Sequence, residues 1–147
     1  MDVVDSATRS RMMSGIRGTN TKLEVQIRSA LHRQGFRYRL HARNLPGKPD
    51  MVFPRHSAVI FVHGCFWHGH DCPLFKWPST RPEFWRNKIS RNQDNDQMVR
   101  AALIAAGWRI GIVWECAIRG TGKDLEAVAK RLGRWLHSKT QFLEERG

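Results

Sequence analysis

The spacing of apolar residues divides the chain into helical and extended stretches. Between Thr21 and Gln34, the residues Leu23, Ile27, Ala30 and Leu31 fall at i, i+4, i+7 and i+8 on one helical face, and Gly35 supplies the stop. Phe36-Arg37-Tyr38-Arg39-Leu40 alternates apolar and basic, the period of a half-exposed strand. A Pro/Gly loop from Asn44 to Pro49 leads into two short strands, Asp50–Phe53 and Ala58–Val62, around a turn at Pro54. Residues 63–79 carry too much Gly, His, Cys and Pro for regular structure. A long helix is expected from Thr80, where Thr80-Arg81-Pro82-Glu83 spells a capping box with Pro in the first turn, and it ends by Gly107. Trp108–Trp114 has the pattern of a buried strand. Leu125–His137 places Leu125, Val128, Ala129, Leu132, Trp135 and Leu136 on one helical face. The polar tail after Ser138 is expected to fray.

The order helix, three strands, helix, strand, helix predicts an α/β fold with a mixed central sheet flanked by helices. A length of 147 residues fits one domain. The expected division is a basic, polar arm over 1–20, a folded domain over 21–138 and a polar tail over 139–147. No apolar stretch approaches the ~20 residues of a membrane span, and no apolar leader follows Met1, so a cytoplasmic protein with no membrane partner is expected.

Charge changes the picture. Twenty-five Lys and Arg against thirteen Asp and Glu leave a net charge of +12. The first 45 residues are lopsided, with Arg9, Arg11, Arg17, Lys22, Arg28, Arg33, Arg37, Arg39 and Arg43 against Asp2, Asp5 and Glu24. A domain this basic collects polyanions, and nucleic acid is the commonest of these.

Three cysteines, Cys65, Cys72 and Cys116, are an odd number for disulfides. Five of the ten residues in His63-Gly64-Cys65-Phe66-Trp67-His68-Gly69-His70-Asp71-Cys72 are His or Cys, a density that metals explain better than core packing does. Four ligands would close a structural zinc site: Cys65, Cys72, the distant Cys116 and one histidine. Spacing alone does not choose that histidine, and Asp71 is a rival. A second constellation is Pro49-Asp50 followed by Val59-Ile60-Phe61-Val62-His63. It sets a carboxylate where two strand ends converge, a place suited to Mg²⁺, which takes hard oxygen ligands.

At this point the chain resembles a known family. The αβββαβ order with Pro49-Asp50 resembles the PD-(D/E)XK, restriction-endonuclease-like nuclease fold. The runs Ala58 to His68, Thr80-Arg81-Pro82-Glu83-Phe84-Trp85 and Ile112 to Cys116 resemble the very short patch repair (Vsr) endonucleases. Ala7-Thr8-Arg9-Ser10 and Met13-Ser14-Gly15-Ile16 match as well, so the likeness covers roughly residues 5 to 136. The usual (D/E)XK positions here read Phe61-Val62-His63, a departure that the Vsr group shares, and Val62 stands where Thr is expected.

The resemblance implies a DNA mismatch endonuclease that nicks one strand 5′ of the thymine in a T:G mismatch left by deamination of 5-methylcytosine. By the same resemblance Asp50 would hold catalytic Mg²⁺ with the Val62 carbonyl, and His68 would be general base. His63 would lie near the phosphate, with Glu24 in support. Cys65, His70, Cys72 and Cys116 would hold structural Zn²⁺, with His68 as the alternative to His70. Phe66, Trp67 and Trp85 would wedge into the stack at the mismatch, while an arm with Arg9, Met13 and Ile16 meets the other groove. The implied partners are mismatched duplex DNA and mismatch-repair proteins, with the enzyme monomeric and nucleoid-associated in a bacterial cytoplasm.

Blander roles stand beside these. Glu24 could simply complete a Thr21-Lys22-Leu23-Glu24 capping box. Phe66, Trp67 and Trp85 could be core, although an adjacent Phe-Trp pair cannot both point into one core. Trp108, Trp114 and Trp135 are assigned to the core, and His32, His41, His56 and His137 to the surface. Alternative functions are a restriction-type endonuclease that cuts intact duplex and a non-catalytic, zinc-stabilised DNA-binding module.

Overall fold

The structure, a computed structural model, describes residues 22–119 and 123–146. Helix α1 (Lys22–Arg33) is followed by strands β1 (Arg39–Leu40), β2 (Met51–Phe53) and β3 (Ala58–His63), with a 3₁₀ turn at Pro54–His56 between the last two. Helix α2 (Pro82–Ala105), strand β4 (Arg109–Trp114), the single turn α3 (Glu115–Ile118), helix α4 (Leu125–His137) and strand β5 (Phe142–Glu145) complete the chain. The αβββαβ order read from the sequence is present. The arm over 1–20, with Arg9, Met13 and Ile16, and the cap position Thr21 lie outside the described residues.

The strands form one five-stranded sheet in the order β1-β2-β3-β4-β5. The first three run antiparallel through short turns, whereas β3–β4 and β4–β5 are parallel, because each of those connections crosses over through helix. Central strands buried on both faces explain the near-continuous apolar runs of β3 and β4. Ala58, Ile60, Val62 and Val113 face a core closed by α1 and α4, with Ile27, Leu31, Leu132 and Trp135. Val59, Phe61, Ile110 and Ile112 face the other side, where Leu103 and Val99 of α2 cover them. This period-2 division makes a three-layer α/β/α domain. Among the described residues no helix is long and apolar enough to cross a membrane.

Five expectations are corrected. Of the strand expected over 36–40, only Arg39 and Leu40 reach β2, pairing with Val52 and Met51; Phe36 instead drops into the core. The capping box at Thr80 does not form: Arg81 occupies the cap position at φ +52° with no side-chain cap bond. The tail does not fray. Phe142 and Leu143 supply one apolar side chain to each face of the sheet, so β5 pairs along β4 and covers what would be an open edge. His41 is no surface residue, and Trp108 only half-buries against the α2 side.

Ile60 lies fully buried in the central strand. Ile60→Ala should therefore cost about 2–5 kcal/mol of stability, read as a lower urea midpoint at unchanged slope. A loss below ~1 kcal/mol would mean that this core relaxes around the cavity.

Candidate active site and metal centres

The site forms where the antiparallel ladder of β2 and β3 runs out. Met51 and Ile60 are the last pair of that ladder, so Val62 lies beyond it. Pro49, just before Asp50, has no N–H with which to continue the ladder. The Val62 N–H donates instead to Asp50 Oδ2 at 2.7 Å. This bond fixes the Asp50 carboxylate beside the Val62 backbone, from no more than a Pro-Asp pair and an ordinary strand end.

Glu24, expected in support of this site, and His41, expected at the surface, close in on Asp50. Glu24, 1% exposed on the first turn of α1, accepts from His41 Nε2 at 2.8 Å and from Arg28 at 2.9 Å. Ligand atoms of Glu24, His41 and Asp50 lie within 4.8 Å of one another. Burial pushes the Asp50 pKa up to about 7; the Val62 N–H opposes this, while the neighbouring negative charge of Glu24 adds to it. Two carboxylates crowded in a buried site call for a cation. The Glu24 and Asp50 carboxylates with the Val62 carbonyl fit a hard divalent ion that keeps some of its waters, while His41 holds the Glu24 carboxylate through its Nε2–H. His41 left no signal in the sequence, because it lies in an otherwise unpatterned loop.

Across a cavity of about 450 Å³ from Asp50 stand His63, His68 and Asp96. His63 and His68 stack with ring centroids 3.9 Å apart and planes at 9°. His68 Nδ1 lies 2.5 Å from Asp96 Oδ2 on α2. A carboxylate can only accept there, so Nδ1 carries the hydrogen and Nε2 keeps its lone pair. Burial, then the charges of His68 and His70, hold the His63 pKa well below the usual value, so its ring is neutral at neutral pH. His63 Nδ1 is buried with no hydrogen-bond partner among the described residues. Asp96 was missed because α2 is weakly amphipathic, and nothing in its sequence marks Asp96 among its many polar neighbours. Of that helix only Ile89 and Leu103 are buried, and its polar side chains clamp the loop after β3. Asn92 donates to the Trp67 carbonyl at 2.7 Å, and Gln93 to the His68 carbonyl at 3.2 Å.

That loop also brings together Cys65, His70, Cys72 and Cys116, whose donor atoms lie within 4.8 Å of one another. His70 Nδ1 sits 3.4 Å from Cys116 Sγ. Zinc–ligand bonds of about 2.0–2.3 Å set a tetrahedral S···N edge near ~3.5 Å, so the donor set fits zinc. Burial pushes the Cys65 thiol pKa up and lowers that of His70, which leaves the imidazole neutral as a ligand must be. Asp71 does not belong to this group. Its side chain is exposed, and its carbonyl accepts from Arg146. His68 faces the other cluster.

Phe66, Trp67 and Trp85 are half-buried and belong to neither core layer. Phe66 stands edge-on to Trp67 and Trp85 at 5.2 Å each, and lies 5.9 Å from Phe75. Phe75 meets Trp77, which is 55% exposed, and Trp85 meets the exposed Phe84. Phe75, Trp77 and Phe84 thus enlarge the aromatic group that the sequence marked with three residues. A half-exposed aromatic shelf on a basic protein can insert beside or stack on nucleobases.

The raised Asp50 pKa has a consequence for stability. The folded value, near 7, lies above the ordinary 3.8, so the folded chain binds this proton more tightly. Its contribution is full below about pH 4 and is lost as pH rises through 7. In Mg²⁺-free buffer, Asp50→Asn should show a smaller fall in melting temperature from pH 5 to pH 8 than the parent does. Parallel curves for the two proteins would refute the burial argument.

Comparison with known proteins agrees with this geometry. The family model described as DNA mismatch endonuclease Vsr matches residues 1–74. The chain is 47% identical over 136 residues to the DNA mismatch endonuclease Vsr of Escherichia coli K12, covering 92% of this chain and 87% of that protein. It is 45% identical over 131 residues to the type II nicking enzyme V.XorIIP of Xanthomonas oryzae pv. oryzae, covering 89% and 93%. It is also 38% identical over 118 residues to the type II nicking enzyme V.NmeAIP of Neisseria meningitidis, covering 80% and 84%. The chain belongs to the Vsr family of DNA mismatch endonucleases.

Proposed function

We propose that this enzyme nicks one strand of duplex DNA on the 5′ side of the thymine in a T:G mismatch. The observation that carries the reading is one cleft holding Asp50 on one wall and the His68–Asp96 pair on the other, beside an aromatic shelf. The Glu24 and Asp50 carboxylates with the Val62 carbonyl would hold Mg²⁺; when bound, the ion supplies charge neutralisation at the scissile phosphate and a more acidic water. His68 Nε2 takes the proton from the attacking water, and Asp96 stabilises the imidazolium that results. Neutral His63 fixes the plane of His68 by stacking. The enzyme would act as a monomer on DNA in a bacterial cytoplasm.

Zinc would be held by Cys65, His70, Cys72 and Cys116 and has no part in the chemistry. A closed four-ligand site leaves no position for water or substrate, so its role is to staple the loop after β3 to the end of β4. Phe66, Trp67 and Trp85 insert where pairing is already poor. Unstacking costs a few kcal/mol per step and least at a mismatch, and that difference is selectivity.

Asp50→Ala should abolish nicking while leaving mismatched-duplex affinity within a few-fold, because backbone phosphate contacts dominate affinity. Near-parental cleavage by this variant in Mg²⁺ would overturn the assignment of Asp50.

The two histidines of the loop separate the two centres. His68→Ala should lower the single-turnover nicking rate by about 10²–10⁴-fold with zinc content unchanged. His70→Ala should lose zinc and fold together. Metal analysis that finds no zinc in the parent, or a zinc-replete and fully active His68→Ala, would contradict these roles.

A further inference from the structure

Trp114, at the end of β4, is the common neighbour of both centres. Its ring lies parallel to His70 at 3.9 Å and 5°, and stands steeply inclined to His63 at 5.1 Å and 71° and to His68 at 5.9 Å and 79°. The indole is 8% exposed, and a buried indole N–H needs an acceptor. The acceptor is Glu144 Oε2 at 2.7 Å. Register explains the meeting. Ile112 pairs with Glu144 across the parallel β4–β5 ladder, so the Glu144 side chain stands on the same face as Ile112 and Trp114. Glu144 also lines the cleft that holds Asp50, His63 and His68. A carboxylate at the rim of a phosphate-binding cleft repels its substrate, so it weakens binding and must act otherwise.

We propose that Glu144 is a positioning residue for strand cleavage: its hydrogen bond sets the rotation of the Trp114 indole, and the indole sets the stacked pair His63 and His68. The proposal rests on the reading of His68 as general base. The C-terminal strand then completes the active site as well as covering the sheet edge. Glu144 acts on the reacting groups through Trp114, so its main effect falls on the rate of the bound complex.

The test compares the full-length parent, Glu144→Ala and Glu144→Gln on a mismatched duplex in Mg²⁺. Gln keeps a carbonyl oxygen that accepts the same bond. Glu144→Ala should slow single-turnover nicking at saturating DNA by roughly 5- to 50-fold, since sub-ångström misplacement of a reacting group is costly. Its affinity for DNA should equal or exceed that of the parent, and its zinc content should be parental. Glu144→Gln should recover most of the rate. Histidine ring NMR signals of His63 and His68 should shift in Glu144→Ala and return in Glu144→Gln. A purely structural role for β5 would lower stability but leave the rate per folded molecule and the kcat-to-KM balance unchanged. Such a result, or Gln no better than Ala, would overturn the proposal. A parent that does not nick at all would sink the functional reading instead. The NMR signals then decide on the positioning alone, and unmoved signals overturn it.

Discussion

The β2–β3 ladder ends at Met51 and Ile60, and beyond it the Val62 N–H goes to the Asp50 side chain instead of a backbone. The rest of the site is built around this substitution. It aims a carboxylate along the strand edge at the mouth of the cleft. Strand β3 can serve this purpose because it is held rigidly elsewhere, with β2 antiparallel on one side, β4 parallel on the other, and helices over both faces. Buried beside Glu24, Asp50 is a carboxylate whose charged form is costly without a cation. The same desolvation that opposes charge in the empty site strengthens attraction to a divalent ion.

The loop after β3 is the second dependent element. Its backbone is irregular and could not by itself hold His68 in a 9° stack on His63 of β3. The polar side chains of α2 tie down its carbonyls, and Asp96 orients His68. The cysteine cluster draws its far end to Cys116, beyond β4. Gly69 makes the tight passage between the two: at φ +60° it lies where a Cβ would come within 2.6 Å of Ile89 and Gln93. The chain thus alternates its donors, with His68 turned to the cleft and His70 to the thiols two residues later. Trp114 lies between these two rings.

Much of this was legible in the sequence because period and spacing report local geometry. The helices α1 and α4 showed a 3.6-residue apolar stripe, and β3 and β4 showed runs apolar on both faces. The His/Cys density after β3 marked a ligand cluster before any fold was known. What was not legible depended on contacts distant in sequence. Asp96 meets His68 across 28 positions, and His41 meets Glu24 across 17, with nothing in either local pattern to announce it. Strand β5 was read as a frayed tail because Phe142-Leu143 is too short an apolar run to declare a strand. Only the open edge of β4 gives it a partner, and with it come Glu144 and the buried Glu145, which pairs with Arg131. The cap at α2 failed for a local reason: Arg81, not Thr80, took the position before Pro82.

The basic surface, the aromatic shelf and the cleft converge on one substrate, a duplex already weakened at one base pair. The most direct measurement is cleavage of a duplex labelled on both strands, carrying T:G or T:A at one position, in Mg²⁺. The account predicts a single cut, in the thymine strand, 5′ of the mismatched thymine, with the T:A duplex left largely intact. Cuts in both strands, equal cleavage of the T:A duplex, or binding with no cleavage would contradict it.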